Sequence, residues 1–121
     1  MKRSIEDTPI VFLGAGNLAT NLAKALYRKG FRIVQVYSRT EESARTLADE
    51  VEAEYITDLK EVSKEARLYI ISLKDAAFVE LLPQITEGKQ HALLVHTAGS
   101  IPVNIWEGYA ERYGVFYHMQ I

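Results

Sequence analysis

The chain has no cysteine, three prolines and one tryptophan among its 121 residues, and its formal net charge is only −2. Without cysteine there is no disulfide, no thiolate-bound zinc or iron–sulfur centre and no thiol nucleophile. The small negative charge provides no broad basic surface for nucleic acid. No apolar run approaches the roughly 18 residues that a membrane-spanning helix needs. We therefore expect one cytoplasmic domain that contacts neither nucleic acid nor membrane.

What the chain does contain is a regular alternation of short apolar runs and amphipathic segments. Residues 1–8 form a polar tail without the apolar stretch of a signal peptide. The expected helices are at 17–29, 41–50 and 104–112, with one or two turns over 58–64 and a helix that Asp75 caps and Pro83 follows. The expected strands are at 10–13, 31–37, 53–57, 68–72, 92–96 and 115–118. This order predicts a doubly wound, mostly parallel six-stranded sheet in a three-layer α/β/α arrangement, the Rossmann NAD(P)-binding fold, over residues 9–121.

A glycine-rich segment joins the first strand to the first helix. Residues 14–19 read Gly-Ala-Gly-Asn-Leu-Ala, the G-x-G-x-x-A pattern of dinucleotide-binding turns, within a βαβ unit of about 30 residues. Gly14 permits the tight turn, Gly16 lets a pyrophosphate approach the backbone, and Ala19 keeps helix and strand close. The alternative is a glycine turn that only connects two elements. The predicted pyrophosphate contacts, at the positive end of the helix dipole, are Gly14, Ala15, Gly16, Asn17 and Leu18.

The end of the second strand indicates which dinucleotide is bound. NAD-binding domains usually carry Asp or Glu there, to bond the ribose hydroxyls. This chain has Ser38, Arg39 and Thr40 instead, and its first carboxylate is Glu41. A guanidinium between two hydroxyls suits the 2′-phosphate of NADP, and one charge-assisted bond of about 1.5–3 kcal/mol would favour NADP by about tenfold to a hundredfold. Arg45 is a second candidate, and a solvated loop arginine is the alternative for Arg39.

Two more loops follow the fourth and fifth strands, at the edge of a doubly wound sheet where ligands bind. We expect them to flank the nicotinamide and its ribose. Lys74 is either a catalytic residue or a solvated lysine, and Asp75 is expected to cap a helix rather than act as a base. The predicted cofactor or substrate contacts in these loops are Ser72, Leu73, Thr97 and Ser100.

Among the three histidines, His96 is the candidate catalytic residue. It ends an apolar strand, and an imidazole can donate a proton to a carbonyl or imine as hydride arrives. The alternative is a histidine that is hydrogen-bonded at the top of the sheet and holds the loop in place. His118 is a second candidate, His91 is expected at the opposite end of the sheet, and Trp106 is expected to pack. Scattered histidines without paired carboxylates predict no metal site.

Several of these segments together resemble one superfamily. It contains pyrroline-5-carboxylate reductases, F420-dependent NADP oxidoreductases, and 6-phosphogluconate and 3-hydroxyisobutyrate dehydrogenases. The resemblance is most specific to a bacterial group of NADP oxidoreductases with a Rossmann-like N-terminal domain. It implies a further, mainly helical domain that forms a homo-oligomer and completes the substrate pocket, so we expect this chain to be a fragment. The segments that carry the resemblance are 11–19, 37–40, 72–75, 96–100 and 118–120.

Two functions from different classes fit these observations. The first is the NADP-binding domain of an oxidoreductase that transfers hydride between NADP(H) and a small C=O or C=N substrate. The second is a dinucleotide-sensing module without turnover. A domain for another nucleotide or a flavin is a third possibility. Without a following domain, the last strand and the ligand-binding edge of the sheet would expose apolar surface, and copies of the chain would associate.

Overall fold

A computed structural model of the chain describes residues 8–97 and 100–116. It confirms a single six-stranded sheet in which every neighbouring pair of strands is parallel. No helix in these two ranges is long and apolar enough to span a bilayer. The elements in chain order are β1 (Pro9–Leu13), α1 (Asn17–Arg28), β2 (Arg32–Tyr37), α2 (Glu41–Glu50), β3 (Glu54–Ile56), a 3-10 turn (Leu59–Glu61), β4 (Leu68–Ile71), α3 (Asp75–Thr86), β5 (Leu93–Thr97), a second 3-10 turn (Val103–Trp106) and β6 (Arg112–Phe116).

The sheet is covered on both faces, which explains why β1 is a continuous apolar run rather than an alternating one. Ile10 and Phe12 point to the layer formed by α1 and α2. Val11 and Leu13 point to the opposite layer, which contains α3 and the second 3-10 turn. All four side chains are at most 1% exposed. The three-layer α/β/α architecture is therefore confirmed.

The strand order is β3-β2-β1-β4-β5-β6, so the chain winds outward from the centre in both directions. The loop after β1 leads towards β2 on one side, and the loop after β4 leads towards β5 on the other. A crevice forms between such diverging loops at the carboxyl ends of the two central strands. The sequence patterns place the predicted site residues at this edge of the sheet.

The expected helix over residues 104–112 is wrong. The segment forms only the 3-10 turn Val103–Trp106, and β6 already begins at Arg112, three residues before the expected strand. Gly108 has φ +82, a left-handed conformation that interrupts a helix. The Trp106 side chain is completely buried and anchors the turn. Tertiary packing of one aromatic residue therefore outweighs the helical pattern of the segment.

Pro83 was expected to follow the helix that begins near Asp75, and this is also wrong. Pro83 lies inside α3, which continues to Thr86. A proline in a helix interior leaves one carbonyl without its amide partner. Pro83 is exposed on the solvent side, where water can solvate that carbonyl. On either side of it, the buried Leu82 and Ile85 hold the last turn against the core.

Candidate functional site

The glycine turn packs directly against the loop that follows β4. The amide of Gly14 donates to the Tyr37 carbonyl at 2.8 Å, and the amide of Ser72 donates to the Leu13 carbonyl at 2.7 Å. Gly14 has φ +116, and a Cβ built on it would lie 2.2 Å from the Ser72 carbonyl oxygen. Only glycine satisfies both conditions. Gly14 therefore sets the close approach of the loops after β1 and β4.

Gly16 has a different environment. It precedes α1 as its N-cap in extended conformation, and a Cβ built on it would meet no atom within 4 Å. The first intrahelical bond runs from the Thr20 amide to the Gly16 carbonyl at 2.9 Å. In the described part of the chain, no side chain caps this helix and its first turn contains no carboxylate. Free amides facing open space at a helix N-terminus form a cradle that a pyrophosphate fits.

The end of β2 brings three polar residues to the same edge of the sheet. Arg39 and Thr40 are exposed and Ser38 is half-buried. The Ser38 hydroxyl accepts a hydrogen bond from the Thr40 amide at 3.4 Å, which folds the loop before α2. Burial raises the pKa of the adjacent Tyr37 hydroxyl, and the positive charge of Arg39 partly offsets this effect. The backbone of Tyr37, which accepts the bond from Gly14, thus joins the glycine turn to the loop that carries Arg39.

Two side-chain contacts connect the loops after β4 and β5. The Thr97 hydroxyl donates to the Ser72 hydroxyl at 3.3 Å. The Asp75 carboxylate accepts from both the amide and the hydroxyl of Ser100, the amide at 3.3 Å. The prediction that Asp75 caps α3 is thus wrong, because Lys74 occupies the N-cap position and Asp75 is bonded across the crevice. Asp75 begins α3 and Ser100 lies in the loop after β5, so no local pattern could have indicated this contact.

His96 is buried, with 2% of its surface exposed, and both of its ring nitrogens are bonded. The Trp106 Nε1–H donates to His96 Nδ1 at 2.9 Å. Because an indole nitrogen can only donate, Nδ1 carries no proton, so Nε2–H donates to the Ile101 carbonyl at 2.9 Å. Phe78 packs on this pair, with its ring centroid 5.0 Å from that of His96. This geometry favours the structural role for His96, and the catalytic role stays a prediction.

The other residues that the sequence analysis discussed lie at different places in the fold. His91 lies before β5, at the amino end of the strands, and contacts the Ala66 carbonyl at 3.2 Å. The exposed Lys74 lies at the start of α3. Arg45 is exposed on α2, one turn beyond the loop that contains Arg39. His118 lies outside the described residues, so its role also stays a prediction.

A doubly wound parallel sheet with a glycine turn at its central crevice defines a Rossmann-type dinucleotide-binding fold. Comparison with known families agrees with this class. Residues 9–99 match the family described as NADP oxidoreductase, coenzyme F420-dependent. This match covers most of the chain, so the chain belongs to this family of NADP oxidoreductases. The cofactor that Arg39 and its neighbours predict, NADP, is named in the family's description, beside coenzyme F420.

A Bacteroides fragilis protein that is assigned as an NADP oxidoreductase has a crystal structure similar to this chain. The two share 76% identity with a TM-score of 0.94, over 98% of this chain and 46% of that protein. An imine reductase from Myxococcus stipitatus, solved with NADP+, has the same fold at 19% identity and a TM-score of 0.72, over 87% of this chain and 39% of the reductase. A glutamyl-tRNA reductase from Methanococcoides burtonii is 27% identical over 96 residues, which is 75% of this chain and 23% of that enzyme. The chain thus spans less than half the length of each relative.

Proposed function

We propose that this chain is the NADP-binding domain of an oxidoreductase that transfers hydride between NADP(H) and a small C=O or C=N substrate. The observation that carries the proposal is the open cradle at Gly16, next to a strand end with Arg39 and no carboxylate. The α1 amides would hold the pyrophosphate, and Arg39, Ser38 and Thr40 would hold the 2′-phosphate. The matched family supports the same cofactor.

Bound NADPH would supply the hydride, and the protein would bind, orient and shield it from water. Ser72 and Thr97 are already joined by a hydrogen bond at the carboxyl ends of β4 and β5, on the expected nicotinamide side. Asp75 holds Ser100 at the mouth of the same crevice. We assign His96 the task of fixing the loop after β5 through the Ile101 carbonyl.

The test of the cofactor proposal is a side-by-side titration of the chain with NADPH and NADH. We expect tighter binding of NADPH, and we expect Arg39→Ala to weaken NADPH by about tenfold or more while leaving NADH nearly unchanged. Arg32→Ala is the matched control, because Arg32 is an exposed arginine at the opposite end of the same strand. Equal affinities in the unmodified chain, or an equal loss in both variants, would contradict the proposal.

The second candidate, a module that binds a dinucleotide without turnover, is favoured by one observation. Both ring nitrogens of His96 are bonded inside the protein, so the residue offers no free proton to a substrate in this arrangement. NADPH oxidation by the full-length gene product, with panels of small ketones and cyclic imines, separates the two functions. Turnover with any member of the panels supports the oxidoreductase, and tight NADPH binding without turnover across the panels supports the sensor.

We further propose that residues 9–121 form one domain of a longer protein, whose other part is mainly helical, covers one face of this sheet and forms the homo-oligomer. An apolar recess of about 230 Å³ lies beside β4, β5 and α1. Parallel sheets are normally covered on both faces. Leu93 and Phe116 are nevertheless 41% and 40% exposed there. The recess is lined by Leu22, Leu26, Leu68, Ile70, Leu93, Val95 and Phe116.

The natural absence of cysteine makes this proposal easy to test. Single-cysteine variants Leu93→Cys and Val79→Cys place one thiol in the recess and one on the outer side of α3, where Val79 is 47% exposed. We compare the rates at which a maleimide labels both variants in the 121-residue chain and in the full-length gene product. Selective slowing at position 93 in the full-length product is expected. Equal rates in the two forms would refute the proposed covering.

A further inference from the structure

A polar recess of about 300 Å³ lies at the amino ends of β4 and β5, away from the glycine turn. The first 3-10 turn and the loop before β4 form one wall, and the end of α3 with the turn before β5 forms the other. Three lysines line the recess, whereas Glu87 is its only carboxylate-bearing residue among the described ones. The lining consists of Leu59, Lys60, Val62, Lys64, Gln84, Glu87 and Lys89.

Lys89 is the unusual member of this set. Its residue surface is only 3% exposed, although a charged lysine is rarely buried without a partner. Its ammonium donates to the Glu87 carbonyl at 3.3 Å and lies 5.5 Å from the centre of the Tyr69 ring. Within the described ranges, no carboxylate oxygen lies within 4.0 Å of this nitrogen. A buried ammonium with only neutral partners is energetically unfavourable, and a bound anion would stabilise it.

The backbone places a second cation beside the first. Gly88 has φ +73, and a Cβ built on it would lie 2.9 Å from Cδ of Lys64. The left-handed glycine thus lets the aliphatic part of Lys64 pack on the turn that carries Lys89. Burial lowers the pKa of Lys89, and repulsion from Lys64 lowers it further, although Glu87 partly counteracts both effects. The fold therefore holds the exposed Lys64 and the buried Lys89 in mutual repulsion in the lining of one recess.

We propose that this lysine recess, formed by Lys60, Lys64 and Lys89, is a second anion site that binds the phosphate group of a small phosphorylated molecule. Two or three ammonium groups match the charge of a phosphate monoester dianion better than that of a single carboxylate. The Gln84 amide can add a neutral donor. The recess has room for the phosphate and a small attached group. The site lies at the far ends of α3 and β5, whose opposite ends carry Asp75 and Thr97 at the cofactor crevice.

The experiment is a titration of the ¹⁵N-labelled chain with inorganic phosphate, followed by amide NMR shifts at constant ionic strength with sodium chloride as the balancing salt. We expect saturable shifts centred on residues 59–64 and 84–89. Lys89→Met should weaken phosphate binding by about tenfold or more, because a charge-assisted contact is lost while most of the unbranched apolar side chain is kept. Lys29→Met, which removes an exposed lysine at the end of α1, is the matched control.

The outcomes distinguish this site from the cofactor site. Shifts confined to residues 14–20 would place the phosphate at the glycine turn alone and overturn the proposal. Arg39→Ala should leave the phosphate shifts at the lysine recess unchanged, whatever it does to NADPH. If Lys89→Met does not fold, Lys64→Met provides the same test, because Lys64 is exposed. Equal phosphate affinity in the unmodified chain and in the folded lysine-recess variant would refute the assignment.

Discussion

An added methyl group is expected to act differently at the two glycines of the turn: at position 14 it lowers the free energy of unfolding, and at position 16 it weakens NADPH binding. Gly14→Ala would put a Cβ 2.2 Å from a backbone oxygen at φ +116, whereas Gly16→Ala would meet nothing within 4 Å. The Gly14 contact is more than 1 Å inside ordinary van der Waals separation, and the opposing Ser72 carbonyl belongs to backbone. A left-handed alanine costs about 1–3 kcal/mol, and relieving the overlap costs about 1–3 kcal/mol more.

We therefore expect Gly14→Ala to lower the free energy of unfolding by about 2–6 kcal/mol. A loss at the lower end of this range is already a large part of the roughly 5–15 kcal/mol typical of a domain, and it lowers Tm by about 8 °C or more. Gly16→Ala should change the free energy of unfolding by less than about 1 kcal/mol. The methyl group fits the observed backbone angles and reduces unfolded-state entropy, but alanine is a poorer N-cap than glycine.

Urea unfolding measures both effects, since Trp106 is the only tryptophan and is completely buried. Among folded variants, the loss of NADPH affinity should follow the opposite order to the loss of stability, with Gly16→Ala the more affected. Gly16→Ala should bind NADPH at least about tenfold more weakly, because its methyl group occupies the space that the pyrophosphate needs. A Gly14→Ala variant as stable as the unmodified chain would refute the packing argument. Full NADPH affinity in Gly16→Ala would refute the assignment of the cradle.

Three other predictions follow from single contacts. His96→Ala leaves the buried Trp106 N–H without its acceptor and should lower the free energy of unfolding in urea by about 1–3 kcal/mol beyond the cavity effect. Trp106→Phe, in contrast, removes the donor itself. Unchanged stability of His96→Ala would contradict this reasoning. Burial raises the pKa of Tyr69 from 10.0 to about 12, so its stabilising effect should hold below pH 10 and fade as pH rises through 12, with an absorbance transition that Tyr69→Phe removes. Lys24 and Glu50 form an ion pair at 3.1 Å with both side chains 40% exposed, so Lys24→Ala should cost no more than about 1 kcal/mol; a clearly larger loss in urea unfolding would show that solvent does not screen the pair.

Local sequence patterns sufficed to predict the six strands, the α/β class and the glycine turn. These features depend on local patterns: continuous apolar runs for buried strands, a four-residue spacing for α1, and two glycines where strand meets helix. The absence of a carboxylate after β2 also predicted NADP, in agreement with the family match. Each inference needs only neighbours in sequence, because backbone conformation and the burial of successive side chains are set over a few residues.

The contacts between distant segments could be found only in the folded structure. Where a helix was expected, the chain forms a single 3-10 turn, and its Trp106 bonds to His96 in the core. The contact between Asp75 and Ser100 replaced a local helix cap by a bond across the crevice. The burial of Lys89 likewise depends on elements that meet only when the sheet has formed. A hydrogen bond depends on distance in space rather than along the chain, so local sequence patterns carry no signal for these contacts.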